Sequence, residues 1–191
     1  MFGQLGIEIW LATGLCFMTF GSFTWALRRH FEPVHRLPGQ MRMLSLFSFL
    51  AYVNFNAHIL RDGVMEIVWV IAGLGALTAS VGLFWWAIFT TKQARIRVAY
   101  SIEGPEMVLM RGPYAYVRHP FYASYIAFWL ATALIAGPWQ WPPAMILIFW
   151  YIKIARAEES RFRLSDLSNL YAVYRDRTGM ILPRLRSAIP G

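Results

Sequence analysis

The 191-residue chain has few charged residues and a single cysteine. Charged residues make up 15% of the sequence, against about 25% in an ordinary soluble domain, and hydrophobic residues make up 58%. This composition argues against a soluble monomer. The lone Cys16 excludes an intramolecular disulfide framework and any cysteine-based zinc site.

Long apolar runs fill most of the chain. A helix rises about 1.5 Å per residue and needs about 20 mostly apolar residues to cross about 30 Å of hydrocarbon. Five runs are candidate spans: Leu5 to Leu27, Met41 to Leu60, Met65 to Phe89, Phe121 to Ala136 and Pro142 to Ala157. The last two are only about 24 Å long as helices. Because the Gly137 to Pro143 segment between them is short, we expect an all-α integral membrane protein with five transmembrane helices that ends in a tight helical hairpin.

The distribution of positive charge predicts the orientation. The chain has a formal net charge of +8, and every Lys or Arg except Arg61 falls on one side of a five-span arrangement. Cytoplasmic loops retain positive charge, so we expect an external N-terminus and a cytosolic C-terminus, as in a bacterial-type inner membrane. Attraction of these segments to anionic membrane lipids explains the high pI, and the sequence contains no base-reading element that would favour nucleic acid.

Two cytosolic segments are long enough to have structure of their own. Residues 1–91 hold the first three spans, and residues 92–191 hold a cytosolic loop, the hairpin and a tail, all within one membrane domain. Gly112-Pro113 and Gly104-Pro105 predict turns in the loop. Four residues of the tail recur at helical spacing: Leu167, Leu170, Tyr171 and Tyr174. They predict an amphipathic tail helix that is capped by Ser165 or Asp166 and ended by Gly179.

Four ionisable residues flank the hairpin. Arg118 and His119 precede the fourth span, and Glu158 and Glu159 follow the apolar part of the fifth. The two ends of a hairpin emerge side by side, so these residues, called the hairpin cluster below, should meet. Ionisable groups at membrane depth are costly unless they are paired or used. The cluster is therefore a candidate functional site, and the alternative is an interfacial salt bridge that closes the hairpin.

Two motifs in this half of the chain resemble those of a known family. Gly112-Pro113-Tyr114 is followed by Arg118-His119-Pro120-Phe121-Tyr122, and the glutamate pair is followed by Tyr171, Tyr174 and Leu182-Pro183-Arg184. This arrangement, from Val108 to Arg184, resembles the isoprenylcysteine carboxyl methyltransferase family of integral-membrane enzymes. The sequence departs from the family pattern at Ser124, where the family usually has glycine, and it lacks a Phe-Gly pair between the glutamates and the tyrosines.

The resemblance implies an enzyme that uses S-adenosyl-L-methionine and methylates a lipid-like or prenylated acceptor. The matching cofactor-binding positions are Tyr114, His119, Pro120, Tyr122 and Glu158, with the backbone from Met107 to Leu109 lining the cofactor. The family also has a basic residue before the glutamates that orients the acceptor carboxylate, for which Arg156 is the first candidate and Lys153 the second.

The chemistry of the cluster supports these roles and leaves the acceptor open. Arg118 or His119 can donate to a carboxylate, and Glu158 can accept from the ammonium or ribose of the cofactor. A carboxylate acceptor needs no general base, whereas an amine acceptor, as in phospholipid N-methylation, would need one such as Glu159 or His119. Arg118, Arg156 and Glu159 are the candidate catalytic residues. No metal site is expected.

Two further functions are open alternatives. A sterol-reductase-like enzyme would bind NADPH through Arg111, Arg118, Arg156 and Arg161, but a glutamate pair repels phosphate. A non-catalytic membrane scaffold would retain the hairpin without using the cluster.

Two patterns inside the predicted spans carry structural predictions. Gly73-Leu74-Gly75 lies inside an apolar run, so we interpret Gly75, Ala79 and Gly82 as sites of close helix packing rather than a nucleotide loop. Asn54 and His58, four residues apart on the second span, predict a buried hydrogen-bonded pair, with Glu8 or Arg61 as a further partner, and a role in binding the acceptor is the alternative.

Overall fold

The computed structural model describes residues 6–31, 38–92 and 108–184. Within these ranges the chain is all α-helical and forms no strand. Six α-helices follow one another: α1 (Ile7–Arg29), α2 (Gly39–Asp62), α3 (Ile67–Thr91), α4 (Pro120–Ala136), α5 (Trp141–Arg163) and α6 (Ser168–Arg177). Two 3-10 turns, Gly112–Ala115 and Pro138–Gln140, precede α4 and α5. The inner end of the bundle is the end at which α1, α3 and α5 finish, and the outer end is the opposite one.

The first three helices are long and apolar enough to cross a membrane. They contain 23, 24 and 25 residues, and each differs from its predicted run by a few residues at either end. The shorter α4 is apolar throughout its 17 residues. The C-terminal half of α5 carries charged residues, and α5 is not among the helices that are both long and apolar enough to cross a membrane.

The helical hairpin is present, but its second helix is longer than predicted. Gly137, at φ 77°, ends α4 in a backbone conformation that favours glycine, and α5 begins four residues later at Trp141. The predicted span ended at Ala157, whereas α5 continues to Arg163. The apolar run ends before the helix does because charged residues are good helix formers. Glu158 and Glu159 are thus held on a helix rather than on a loop.

The core lies where α3 and α4 cross. Leu77, Phe128 and Trp129 are almost completely buried there. A methyl group added at Gly73 would collide with the side chain of Ile135, so this glycine allows the close approach of the two helices.

The predicted small-residue packing at Gly75, Ala79 and Gly82 is wrong. A methyl group at Gly75 or Gly82 would meet nothing within 4 Å, and Ala79 is exposed. The helical spacing on α3 is correct, but a different face of the helix packs against the bundle. That face contains Gly73, Leu77 and Ser80, all of which are buried.

The prediction that Asn54 pairs with His58 is also wrong. Asn54 Nδ2 donates to Oε1 of the fully buried Gln140 at 2.9 Å, while His58 Nδ1 lies 2.8 Å from Asp62 Oδ2. Gln140 Nε2 in turn donates to the Ala51 carbonyl at 3.3 Å. Gln140 on the hairpin turn is more deeply buried than His58 on the next turn of α2. Asn54 therefore links α2 to the hairpin turn instead of bonding within α2.

The tail helix begins two residues after Asp166, the later of its two predicted caps. It begins at Ser168, and neither Ser165 nor Asp166 caps it, because the Ser165 hydroxyl donates to the Phe162 carbonyl at the end of α5. Tyr171 and Tyr174 are buried, as expected for an amphipathic helix, but Leu170 is 48% exposed.

Candidate functional site

The hairpin brings the hairpin cluster together at its inner end. Arg118 Nε donates to Glu159 Oε1 at 2.7 Å, and this pair is largely buried. His119 lies between the two glutamates, with Nδ1 3.5 Å from Glu158 Oε2 and Nε2 3.4 Å from Glu159 Oε1. Residues about 40 positions apart in the sequence thus form one group. The interpretation that the hairpin ends meet is confirmed.

Tyr122, one turn into α4, extends the cluster. Its hydroxyl donates to Glu158 Oε1 at 2.5 Å, and its ring stacks on His119 with centroids 5.5 Å apart. Pro120 at the first position of α4 fits because its missing N–H needs no partner there. The first turn of α4 thereby holds the imidazole and the phenol side by side.

The two glutamates have different surroundings. The Glu159 side chain is 14% exposed and contacts both Arg118 and His119, whereas the Glu158 side chain is 29% exposed and contacts Tyr122 and His119. Glu159 therefore serves chiefly to hold the cluster together. Glu158 is the carboxylate that a ligand can reach.

Protonation within the cluster follows from these contacts. Burial by itself raises the pKa of Glu159, but the neighbouring His119 imidazole and the hydrogen bond from Arg118 outweigh it and lower the pKa to about 2. Burial lowers the pKa of His119, but its contacts with Glu158 and Glu159 outweigh that effect, and the pKa rises above its ordinary value. The contacts thus favour a charged His119 imidazole beside a charged Glu159 carboxylate.

The tail is hydrogen-bonded to the segment that carries Arg118. The backbone N–H of Arg118 donates to the Gly179 carbonyl at 2.8 Å, and the backbone N–H of His119 donates to the Met180 carbonyl at 3.1 Å. Arg118 Nη1 also donates to the carbonyls of Arg175, at 3.1 Å, and Thr178. Arg118 therefore joins α4, α5 and the tail.

A further hydrogen bond connects α6 to the loop before α4: the Tyr174 hydroxyl donates to the Tyr114 carbonyl at 2.7 Å. Gly179 is needed at its position because a side chain there would collide with the Leu182 carbonyl. The sequence did not reveal the tail carbonyls as partners, since backbone groups carry no residue signature. Gly179 is the one signal of this contact in the sequence, where its position predicts only the end of a helix.

Two predicted site residues lie apart from the cluster. Arg156 is exposed, as is Lys153, and both lie across α5 from the buried face of Tyr151 and Ala155. The role of Arg156 in orienting an acceptor stays a prediction, and it would require the acceptor to approach from the outside of the bundle.

The remaining predicted cofactor contacts lie on the loop before α4. Tyr114 is buried on the Gly112–Ala115 turn, where Gly112 has φ 59° as the Gly-Pro turn predicted. Leu109 is half-buried in the segment before this turn. The Met107 backbone and the Gly104-Pro105 turn lie outside the described residues.

The first turn of α4 packs at the inner ends of α1 and α3. The Phe121 ring lies 5.6 Å from the Phe84 ring on α3 and 6.3 Å from the His30 ring at the end of α1. His30 Nε2 in turn lies 2.8 Å from the hydroxyl of Thr91, the last residue of α3. The hairpin cluster therefore lies at the inner end of the bundle.

Comparison with known proteins adds no relative: no family model, curated protein or solved structure matches this chain.

Proposed function

We propose that the protein is an integral-membrane methyltransferase that uses S-adenosyl-L-methionine and acts on a lipid-like acceptor. The observation that carries the proposal is the junction of the two sequence motifs. Arg118, His119 and Tyr122 from one motif lie within 2.5 to 3.5 Å of the Glu158-Glu159 pair from the other. This junction supports the resemblance because the two motifs serve one site only if the chain brings them together.

In this proposal, α4 and the apolar part of α5, up to Ala157, form the fourth and fifth membrane spans. These two apolar stretches are shorter than α1, α2 and α3, which is consistent with a hairpin that leaves its ionisable groups at the inner headgroup level. The N-terminus is outside and the hairpin cluster faces the cytosol of a bacterial-type inner membrane. The cofactor, which is water-soluble, therefore reaches the site from the cytosol.

The residues fit a cationic cofactor. S-adenosyl-L-methionine supplies a methyl group on a positively charged sulfur, and it also carries an ammonium and a carboxylate. Glu158, the more exposed glutamate, accepts from the ammonium or a ribose hydroxyl, and the Tyr122 hydroxyl fixes the carboxylate for this contact. His119 would donate to the carboxylate of the cofactor.

The role of Arg118 differs from the one the sequence suggested. Its guanidinium is engaged with Glu159 and with two tail carbonyls. We therefore assign Arg118 and Glu159 to positioning: they hold His119 and the tail in place and exclude water. Methyl transfer is an in-line displacement, so alignment and exclusion of water are the main contributions required of the protein.

The proposed acceptor is a carboxylate of the isoprenylcysteine type, which is methylated on oxygen. A carboxylate is already a nucleophile at neutral pH and needs no base. This suits a cluster whose Glu159 is occupied by Arg118 and His119. Phospholipid amine N-methylation is the second candidate, with Glu158 as the available base.

An NADPH-dependent reductase is the third candidate. Of the arginines that it would need for phosphate, Arg118 is bound to Glu159 and Arg156 lies across α5. The arrangement therefore supports it less well than it supports the methyltransferase.

Cofactor binding tests the proposal directly. Detergent-purified protein is titrated with S-adenosylhomocysteine and, separately, with NADPH by calorimetry. We expect binding of S-adenosylhomocysteine that Glu158→Gln weakens at least tenfold. The exposed Asp176→Asn on α6 is the matched control and should bind as the unmodified protein does.

The other outcomes decide between the candidates. Binding of NADPH alone would establish the reductase, and binding of neither would favour the scaffold. Where S-adenosylhomocysteine binds, methylation of a prenylcysteine against that of phosphatidylethanolamine separates the two acceptors.

A further inference from the structure

The face of α5 that points away from the bundle changes character along its length. Met145, Ile146 and Phe149 are 51%, 51% and 66% exposed, so this part of the face is apolar. Lys153, Arg156 and Arg163 follow on the same face and are all exposed. We call these three residues the basic stripe.

The basic stripe has no compensating carboxylate among the described residues. Neither Lys153 nor Arg156 pairs with an acidic side chain, and Arg163 Nη2 donates to the Ser160 hydroxyl at 2.9 Å. The acidic residues of this part of α5, Glu158 and Glu159, point inward to the hairpin cluster. The stripe is therefore a surface of uncompensated positive charge.

The basic stripe begins farther from the inner end than the hairpin cluster does. Lys153 precedes Glu158 by five residues, so it lies about 7.5 Å farther along α5 from the inner end. Positive charge on the outward face of α5 therefore begins on the membrane side of the cluster.

The apolar part of the outward face is too short for a full bilayer. From Trp141 to Ile152 it extends about 18 Å, against about 30 Å of hydrocarbon. A membrane adapts to a short apolar face by thinning, and long basic side chains extend toward phosphates. The groups that meet Lys153 and Arg156 are then lipid headgroups of the inner leaflet, and negative ones bind best.

We infer that the basic stripe is a docking surface for anionic phospholipid, which holds the inner headgroup layer at the level of the hairpin cluster. This inference requires insertion in a membrane but does not depend on the methyltransferase proposal.

Native mass spectrometry of the full chain tests the inference. Detergent-solubilised protein is titrated with phosphatidylglycerol and, separately, with phosphatidylcholine. We expect several-fold tighter binding of phosphatidylglycerol, and loss of that preference in the Lys153→Gln/Arg156→Gln variant. The charge-preserving Lys153→Arg/Arg156→Lys variant should retain it.

The matched control removes two exposed charges elsewhere at the inner end. Arg28→Gln/Arg29→Gln, in the last turn of α1, should keep the preference for phosphatidylglycerol. Retention of the preference in Lys153→Gln/Arg156→Gln would overturn the inference. So would a dimer, detected by light scattering, that this substitution converts to monomer irrespective of lipid, because the stripe would then bind a second copy of the chain.

Discussion

Arg118 and Glu159, 41 positions apart in the sequence, form a largely buried ion pair at 2.7 Å. The same guanidinium donates to the carbonyls of Arg175 and Thr178 in the tail. One side chain thus connects the start of α4, the end of α5 and the segment after α6. The position of the tail over the cluster depends on this residue.

Removing one partner of this pair should destabilise the protein strongly. Arg118→Met leaves the Glu159 carboxylate buried without its partner, and we expect a loss of about 3 kcal/mol in the free energy of unfolding. The Arg118→Met/Glu159→Met variant should be less destabilised than the sum of the two single variants. Unfolding in mixed micelles, followed by circular dichroism, measures the cycle, and additive effects would contradict the pairing.

The tail tyrosines provide a matched pair of substitutions. Tyr174→Phe removes the hydrogen bond to the Tyr114 carbonyl, and we expect a loss of about 1 kcal/mol. The Tyr171 hydroxyl has no hydrogen-bond partner among residues 6–31, 38–92 and 108–184, so Tyr171→Phe should leave stability unchanged or raise it. Thermal unfolding compares the two variants, and an equal loss in both would show that the tail is not fastened through Tyr174.

Stability should fall in acid through Glu159. Its pKa is lowered from 4.5 to about 2, so its contribution is complete above pH 4.5 and disappears as the pH falls toward 2. Glu159→Gln should flatten the stability profile in this window. Asp176→Asn, an exposed carboxyl on α6, should not. Denaturation across the acid range measures both, and parallel profiles for Glu159→Gln and the unmodified protein would contradict the assignment.

His119 should act in the opposite direction. Its pKa is raised above 6.5, so its contribution is complete below pH 6.5 and disappears as the pH rises through the folded-state pKa. His119→Gln should therefore remove the loss of stability on the alkaline side. Nuclear magnetic resonance of the imidazole checks the pKa directly, and a value below 6.5 would contradict the contacts with Glu158 and Glu159.

Two glycines on α3 separate close packing from open surface. A methyl group at Gly73 would collide with Ile135 and lie 3.0 Å from the Ala131 carbonyl, so Gly73→Ala should destabilise by about 1 to 3 kcal/mol. Gly75→Ala meets nothing within 4 Å and should be neutral or slightly stabilising, because alanine favours helix. Unfolding measurements on both variants test the α3–α4 contact, and similar values would place that contact elsewhere.

Local properties of the sequence are sufficient to predict the helices and the meeting of the two motifs. Apolar runs and the break at Gly137 are such properties, so the predicted runs match their helices to within a few residues, apart from the continuation of α5. The meeting of Arg118 with Glu159 was also predictable, because a short hairpin leaves little freedom in which residues lie side by side.

Which way each helix face points depends instead on packing between helices. The rotation of α3 selects Gly73 rather than Gly75 for the contact with α4, and the rotation of α5 turns Arg156 outward while Glu158 points inward. Asn54 donates a hydrogen bond to Gln140 on the hairpin turn and not to His58 on its own helix. These outcomes depend on packing between distant segments, which sequence periodicity defines only as a set of alternative faces.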